Sequence, residues 1–397
     1  MTVHGISSSN NRVFSISDRE CPLQPAGGPA GVNYRLMLAN RKYGFINHMY
    51  HIFKNMIIDD DSIMNLNMFE KEDNVIDWLK RYFKKLNDYF HFSDDDIYIF
   101  HDVFSAFVFI SIFPFRKTVL VYHQQGSLYK ELVFFGHKPD EELKKQLDSL
   151  LHATFMSMMY IGFPSKGAIE SVIESEPVLE NTINRVMIKI LYNGCDPVDD
   201  PKVSEKDVNE IIHMLKTSQV PNFVTSATLN EAKGVERIPE FLSAFKKKYG
   251  SFLWVVVGDG AKADELAQNI EKYDIRENTI WLRKQIPHDD MLAIFKHTDF
   301  YILTHRFSIF DFSTIEAMGY GNIPILTPIG GNKEVIINNS GIFLNTLSST
   351  EDFDNYVMNY NFDIAKQMNI QIARELFSEK AFLKRYADLI EEVRNYR

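Results

Sequence analysis

Short apolar runs alternate along the chain with segments whose apolar residues recur every three or four positions. Val13–Ile16, Ile97–Phe100, Val119–Tyr122, Met156–Ile161 and Met187–Tyr192 read as buried strands in the first half of the chain. Helical periodicity fills most of the intervals. Val75–Phe90, VIDWLKRYFKKLNDYF, places Leu79, Tyr82, Phe83 and Leu86 on one side and Lys80, Arg81, Lys84 and Lys85 on the other. A Gly/Pro loop, PAGGPAGVN, follows the first strand and leads to a helix from about Tyr34. A polar, charge-rich stretch from Asp196 to Val220 interrupts the pattern, which then restarts. Phe223–Ser226, Leu253–Val257, Thr279–Leu282, Phe300–Leu303 and Ile325–Thr327 are predicted strands of the second half. Strands alternating with helices predict parallel sheets covered on both faces, hence an α/β protein with two doubly wound, Rossmann-like domains. The expected limits are 1–195 for the first domain, 196–220 for a linker and 221–377 for the second domain. A closing helix over 378–397 is expected to pack back toward the first domain.

Composition narrows the class. A chain of 397 residues exceeds one ordinary core, and 45% hydrophobic with 24% charged residues is the balance of a globular protein. The longest apolar run, Phe104–Phe115, is too short to span a bilayer, has Pro114 near its end and leads into a strand. The N-terminus, MTVHGISSSNNRVFSIS, lacks a basic start followed by an apolar segment and is not a secretory signal. Two cysteines, Cys21 and Cys195, fit a reducing cytoplasm rather than a disulfide framework. A net charge of −10 without a long basic tract disfavours nucleic acid as a partner. Asp59-Asp60-Asp61 and Asp94-Asp95-Asp96 read as solvated loops or caps.

The candidate chemistry lies between Thr304 and Ile336. Glu316 stands on the first turns of a short helix, and a carboxylate there can accept from both hydroxyls of a ribose. A Gly321-Asn322-Ile323-Pro324 turn and a short strand follow. The pair Gly330-Gly331 then opens a helix near Asn332, where backbone N–H groups can approach a diphosphate or a sugar. Both devices follow a buried strand, which points to a nucleotide-sugar pocket at the carboxyl ends of the strands. No pair of carboxylates is spaced as an acid/base couple, as glycoside hydrolases require. No His/Cys/Asp cluster has metal-ligand spacing, so neither metal nor cofactor is expected.

Taken in order, the motifs resemble those of retaining glycosyltransferases of the GT-B fold, in particular glycosyltransferase family four. The carriers are NGCD (Asn193–Asp196), SATLNEAKG (Ser226–Gly234), VVVGDG (Val255–Gly260), Glu316-Ala317-Met318, Gly321–Pro324 and Gly330-Gly331-x-x-Glu334. The resemblance implies a metal-independent transferase that moves a sugar from a nucleotide diphosphate, typically a UDP-sugar, to a saccharide or lipid-linked acceptor. It assigns Lys233 to the donor diphosphate and Glu316 to the ribose. Gly258 and the pair Gly330 and Gly331 face the donor, and Glu334 either holds the helix N-terminus or reaches a sugar hydroxyl. Gly27 and Gly28 belong to a glycine loop in the first domain, and His123, ending the strand VLVY, lies near the reacting carbon; His101 is its rival.

Two departures stand out. The family's first glutamate is Ser308 and the glycine three residues on is Asp311; both positions are expected on the donor side, with Asp311 or His305 left to take the glutamate's place at the sugar. The family's arginine five before the lysine is Thr228, so Arg283 or Arg306 is left to supply phosphate support. These departures keep a second reading open, a catalytically silent GT-B partner of an active transferase. Relatives that use lipid-linked acceptors touch membranes through basic, aromatic faces. For Val75–Phe90 that reading stands beside plain packing on the sheet, which is favoured.

Overall fold

The computed structural model describes residues 11–59, 62–65 and 74–396. The expectations for Asp60, Asp61 and the first ten residues lie outside them. Two sheets organise the chain. The first holds β1 (Val13–Ile16), β2 (Met49–Ile52), β3 (Met56–Ile58), β4 (Ile63–Asn65), β5 (Ile97–Phe100), β6 (Lys117–Val121), β7 (Tyr160–Phe163) and β8 (Ile188–Ile190). Their spatial order is β4-β3-β2-β1-β5-β6-β7-β8. The second holds β9 (Asn222–Ser226), β10 (Leu253–Val257), β11 (Thr279–Leu282), β12 (Phe300–Leu303), β13 (Ile323–Leu326) and β14 (Ile342–Phe343), in the order β11-β10-β9-β12-β13-β14. All pairings are parallel except β2–β3 and β3–β4. That antiparallel extension of the first sheet was not expected, because its strands are short and partly exposed.

Strand alternation explains the two-faced core. In β1 Val13 and Ser15 point to one face, Phe14 and Ile16 to the other. Phe14, Tyr98, Phe100, Phe83, Phe92 and Phe109 form an aromatic core on the second face. On the first face Val13, Ile97, Ile99 and Val121 join a core that runs on into the second lobe. The helix Glu379–Asn395 buries Phe382, Leu383, Tyr386, Leu389 and Val393 in that shared core and lies against the helix Gly28–Tyr43 of the first lobe.

Several boundaries differ from the periodic reading. Residues 206–217, inside the stretch read as linker, form a helix whose Val208, Ile211, Ile212 and Leu215 are buried in the second lobe. Charged residues between the apolar ones masked that stripe. Met156 and Ser157 close the helix Glu141–Ser157, and β7 starts only at Tyr160. The first helix starts at Gly28 rather than near Tyr34, with Pro29 in its first turn, a position that needs no N–H. β13 begins at Ile323 and includes Pro324. Its ladder with β14 starts only at Ile325, so the missing N–H costs no bond there. Asp96 is not a solvated residue: it is fully buried, and Arg12 binds it through Nε (3.0 Å) and Nη2 (2.6 Å).

Candidate active site

Parallel pairing brings the loops that follow β1, β5, β6, β7 and β8 to one edge of the first sheet. It does the same for the loops after β9, β10, β12 and β13 of the second. The two edges meet. The Ser165 hydroxyl donates to the Ile309 carbonyl across the seam. Glu334 accepts from the backbone N–H of Lys166 (3.1 Å) and Gly167 (2.8 Å) and from the Tyr192 hydroxyl (2.7 Å). Phe134 packs against Phe307 with centroids 4.9 Å apart.

Glu316 reaches this seam and Lys233 stands at the start of the Glu316 helix beside Asp311, each held by charge. Lys233 Nζ lies 2.6 Å from both oxygens of Asp311, and His305 Nε2 lies 2.5 Å from Asp311 Oδ2. Burial works to raise the Asp311 pKa, yet the Lys233 ammonium and then His305 overcome it and hold the carboxyl well below its usual range. Glu316 Oε1 receives Arg35 Nη2 at 2.6 Å and meets His288 Nε2 at 2.9 Å. Here too burial pushes upward, and Arg35 and His288 bring the pKa to about 2. Arg35 comes from the helix after the first glycine loop, donates through Nε to the Ala26 carbonyl (3.0 Å) and stacks 4.1 Å over the Phe312 ring. The ribose candidate of one lobe is thus joined by an ion pair to the glycine segment of the other.

The remaining candidates divide. Ser308 is buried, its hydroxyl 2.8 Å from Asn332 Oδ1. In the Gly330-Gly331 pair the Gly331 N–H donates to the Ser308 carbonyl at 2.9 Å, and a Cβ on Gly167 would lie 2.0 Å from the Gly330 carbonyl carbon. Glycine serves there for the close approach of two backbones. Glu334 caps the helix start at Lys166 in the other lobe rather than serving its own helix alone. Gly258, with φ +136°, packs on the Ala227 carbonyl and supports the loop that carries Lys233. Gly27 precedes the first helix and Gly28, with φ +72°, opens it. Arg306 reaches Glu236 at 2.5 Å and Glu231 at 3.3 Å, so its charge is already matched. Arg283 is half exposed, stacked over Trp281 and 3.4 Å from Asp259, apart from the Lys233 cluster. His123 and His101 are hydrogen-bonded to each other, Nε2 to Nδ1, at 3.1 Å.

Arg35, His288 and Asn33 were not singled out in the sequence. The signal for two of them was present: Asn33 and Arg35 lie in phase with the buried stripe Val32, Leu36 and Ala39 of the first helix. A polar residue on such a stripe must find a partner inside. His288 carries no such mark. Among the described residues no group of three or more His, Cys, Asp or Glu is placed to hold a metal ion. No described helix is long and apolar enough to cross a membrane.

Comparison with known proteins agrees with this geometry. The structure is similar to a sucrose-phosphate synthase from Thermosynechococcus elongatus, with TM-score 0.71 at 12% identity over 97% of this chain and 99% of the other. It is similar to Anabaena Alr3699/HepE in complex with UDP and glucose, with TM-score 0.64 at 16% identity over 96% and 100%. A glycosyltransferase from Rickettsia africae aligns with TM-score 0.63 at 15% identity over 98% and 100%. At such identities these likenesses show the fold alone. Among curated proteins none matches the chain. Residues 209–360 match the family described as Glycosyl transferases group 1. The chain therefore has the two-lobed GT-B fold, and the family match falls on residues 209–360, within its second lobe.

Proposed function

We propose that the protein is a retaining glycosyltransferase of the family-four type. It takes a sugar from a UDP-sugar and gives it to a hydroxyl of a saccharide or lipid-linked acceptor in surface glycan synthesis. One observation carries the reading. Glu316, inside the family-matching segment, pairs across the seam with Arg35 of the first helix, and Lys233 of the same segment holds Asp311 at the start of the Glu316 helix. Glu316 has both of its partners on Oε1, which leaves Oε2 for the ribose hydroxyls. Lys233 is the cation for the diphosphate, and an arriving phosphate takes the place of Asp311 beside it. The work of the protein is then positioning and charge stabilisation, with the departing phosphate taking the acceptor proton. HepE, of the same fold, was solved with UDP and glucose, which supports a uridine nucleotide as the donor class.

Calorimetry with UDP on the whole chain tests this. Micromolar binding by the parent is expected, weakened at least tenfold in Lys233→Ala and in Glu316→Ala. Equal binding in parent and both variants overturns the site assignment. Asp311 favours one second reading, a silent partner of an active transferase. A carboxylate 2.6 Å from the only lysine of the motif is a competitor that a donor must displace. A folded parent that binds no UDP decides for that reading.

A further inference from the structure

A chain of buried hydrogen bonds crosses the first lobe behind His123, and its proton positions follow from one amide. Asn33 Nδ2 donates to the carbonyls of Ser15 (3.2 Å) and Ile52 (3.3 Å). Its Oδ1 is therefore the atom that meets Ser15 Oγ at 2.7 Å and His51 Nδ1 at 2.8 Å. An amide oxygen only accepts, so the Ser15 hydroxyl and the His51 Nδ1–H both donate to it. With its one proton so engaged, Ser15 Oγ accepts from His101 Nε2 at 2.9 Å. His101 then carries its proton on Nε2, and its bare Nδ1 accepts from His123 Nε2 at 3.1 Å.

We propose that Asn33, Ser15 and His101 are positioning residues that hold His123 as its Nε2–H tautomer. The bare Nδ1 of His123 is thereby an obligate acceptor for a sugar hydroxyl at the cleft. The proposal rests on the transferase reading for its ligand, and on the hydrogen-bond chain alone for its tautomer. Burial keeps the rings neutral, as the argument requires: it lowers His123 and His51 to about 3, with Arg41 adding to the effect at His51. At His101 burial, then His123 and His51, lower the pKa well below the usual value. The rings of His101 and His123 lie nearly parallel, 5.3 Å between centroids, and Tyr386 of the last helix covers His101 at 6.4 Å. The partner at Nδ1 must donate. A hydroxyl fits there, whereas a carboxylate, as on a uronic acid, meets a lone pair and is disfavoured. Asn33 also sits one turn into the helix that starts in the glycine loop, so that helix orients the histidine as well as facing the cleft.

Nitrogen-15 NMR of the full chain with labelled histidine reads the tautomer directly, His123 being assigned by the signal lost in His123→Gln. A protonated Nε2 and bare Nδ1 at neutral pH are expected; a protonated Nδ1, or an imidazolium, overturns the proposal. Ser15→Ala removes the acceptor of His101, frees that ring to turn its proton to Nδ1, and should move His123 toward Nδ1–H. Turnover should then fall about tenfold while UDP affinity holds. With Ser15 in place, His101→Asn gives its amide N–H to Ser15 Oγ, turns its oxygen toward His123 and should keep the Nε2–H form and most of the turnover. An unchanged His123 tautomer in a folded Ser15→Ala variant overturns the relay. The two readings fail separately. Loss of UDP binding with Nε2–H intact sinks the transferase assignment only, and Nδ1–H with intact UDP binding sinks this one only.

Discussion

At the cleft edge of the first sheet Asn33, Ser15, His101 and His123 are joined by hydrogen bonds between neutral groups. At the facing edge of the second, Lys233 with Asp311 and Arg306 with Glu236 form ion pairs, and Glu316 reaches back to Arg35. The difference has a physical consequence. A neutral chain anchored on a doubly donating amide fixes which atom donates, and it has no free partner to exchange. An ion cluster holds its members by charge, and another anion can replace one of them. The first lobe therefore presents fixed directionality, and the second presents charges able to change partners when a phosphate arrives. The lobes also respond differently to acid. In the first, buried histidines lose stability as pH falls below about 6.5. Asp102 and Glu131, each raised by burial to about 7, act in the opposite sense and offset part of that loss. In the second, Asp311, Glu316 and His305 are all lowered, so all three lose stability in the same direction.

The largest expected effect comes from removing one ion of the second lobe. Lys233→Ala leaves Asp311 buried beside His305 alone, and a stranded buried carboxylate costs about 3–5 kcal/mol. Urea unfolding should show that loss, and Lys233→Ala combined with Asp311→Ala should recover most of it. A single variant within about 0.5 kcal/mol of the parent would mean that the cluster is not held as ions.

Next is the pH window of Glu316. Its folded pKa of about 2 lies below the ordinary glutamate value of 4.5, so the unfolded chain binds the extra proton. The stabilisation is complete above pH 4.5 and disappears as pH falls toward 2, by about 3 kcal/mol in all. Glu316→Gln should remove that window while the slopes set by the first lobe persist. Thermal melts of parent and variant that stay parallel from pH 5 to 2.5 would contradict it.

Gly167→Ala acts on the seam itself, where the added Cβ would lie 2.0 Å from the Gly330 backbone. Neither backbone has a flexible end to yield, so the lobes must part at this point. We expect a loss of about 1–3 kcal/mol and a larger radius of gyration in small-angle scattering. A more open molecule of unchanged stability would show that the seam contributes shape rather than strength.

Much of this was legible in the chain because the doubly wound pattern writes each strand as a short apolar run. Leu253–Val257, Thr279–Leu282 and Phe300–Leu303 have the limits that periodicity predicts. Glu316 could be named because a carboxylate on a short helix after a buried strand suits a ribose, and Lys233 because the order of motifs resembles that of family four. The pairing across the seam could not. Arg35 and Glu316 are separated by 281 positions, and nothing local to either says that they touch. Nor does Gly330-Gly331 announce that its backbone comes close to Gly167. Glycine records that a backbone comes near without recording whose. Asp311 was visible as a departure, yet only geometry shows that it sits on the lysine it stands near.

The smallest expected effect tests whether burial, rather than charge alone, separates strong from weak contacts. Lys42 joins Asp196 (2.8 Å) and Glu379 (2.9 Å) where the chain leaves the first lobe and the last helix begins. The geometry matches that of Arg35 with Glu316, but the Lys42 side chain is 51% exposed and that of Arg35 is 8% exposed. Water screens the first pair and is nearly absent from the second. Lys42→Met should therefore cost no more than about 1 kcal/mol, with the loss shrinking further in high salt. Asp196 retains the Tyr43 hydroxyl at 3.0 Å and the Glu379 N–H at 3.1 Å, so the crossing stays tied without the lysine. A loss as large as that of Lys233→Ala would place the strength of the molecule at this exposed crossing and remove the contrast between the two lobes as its explanation.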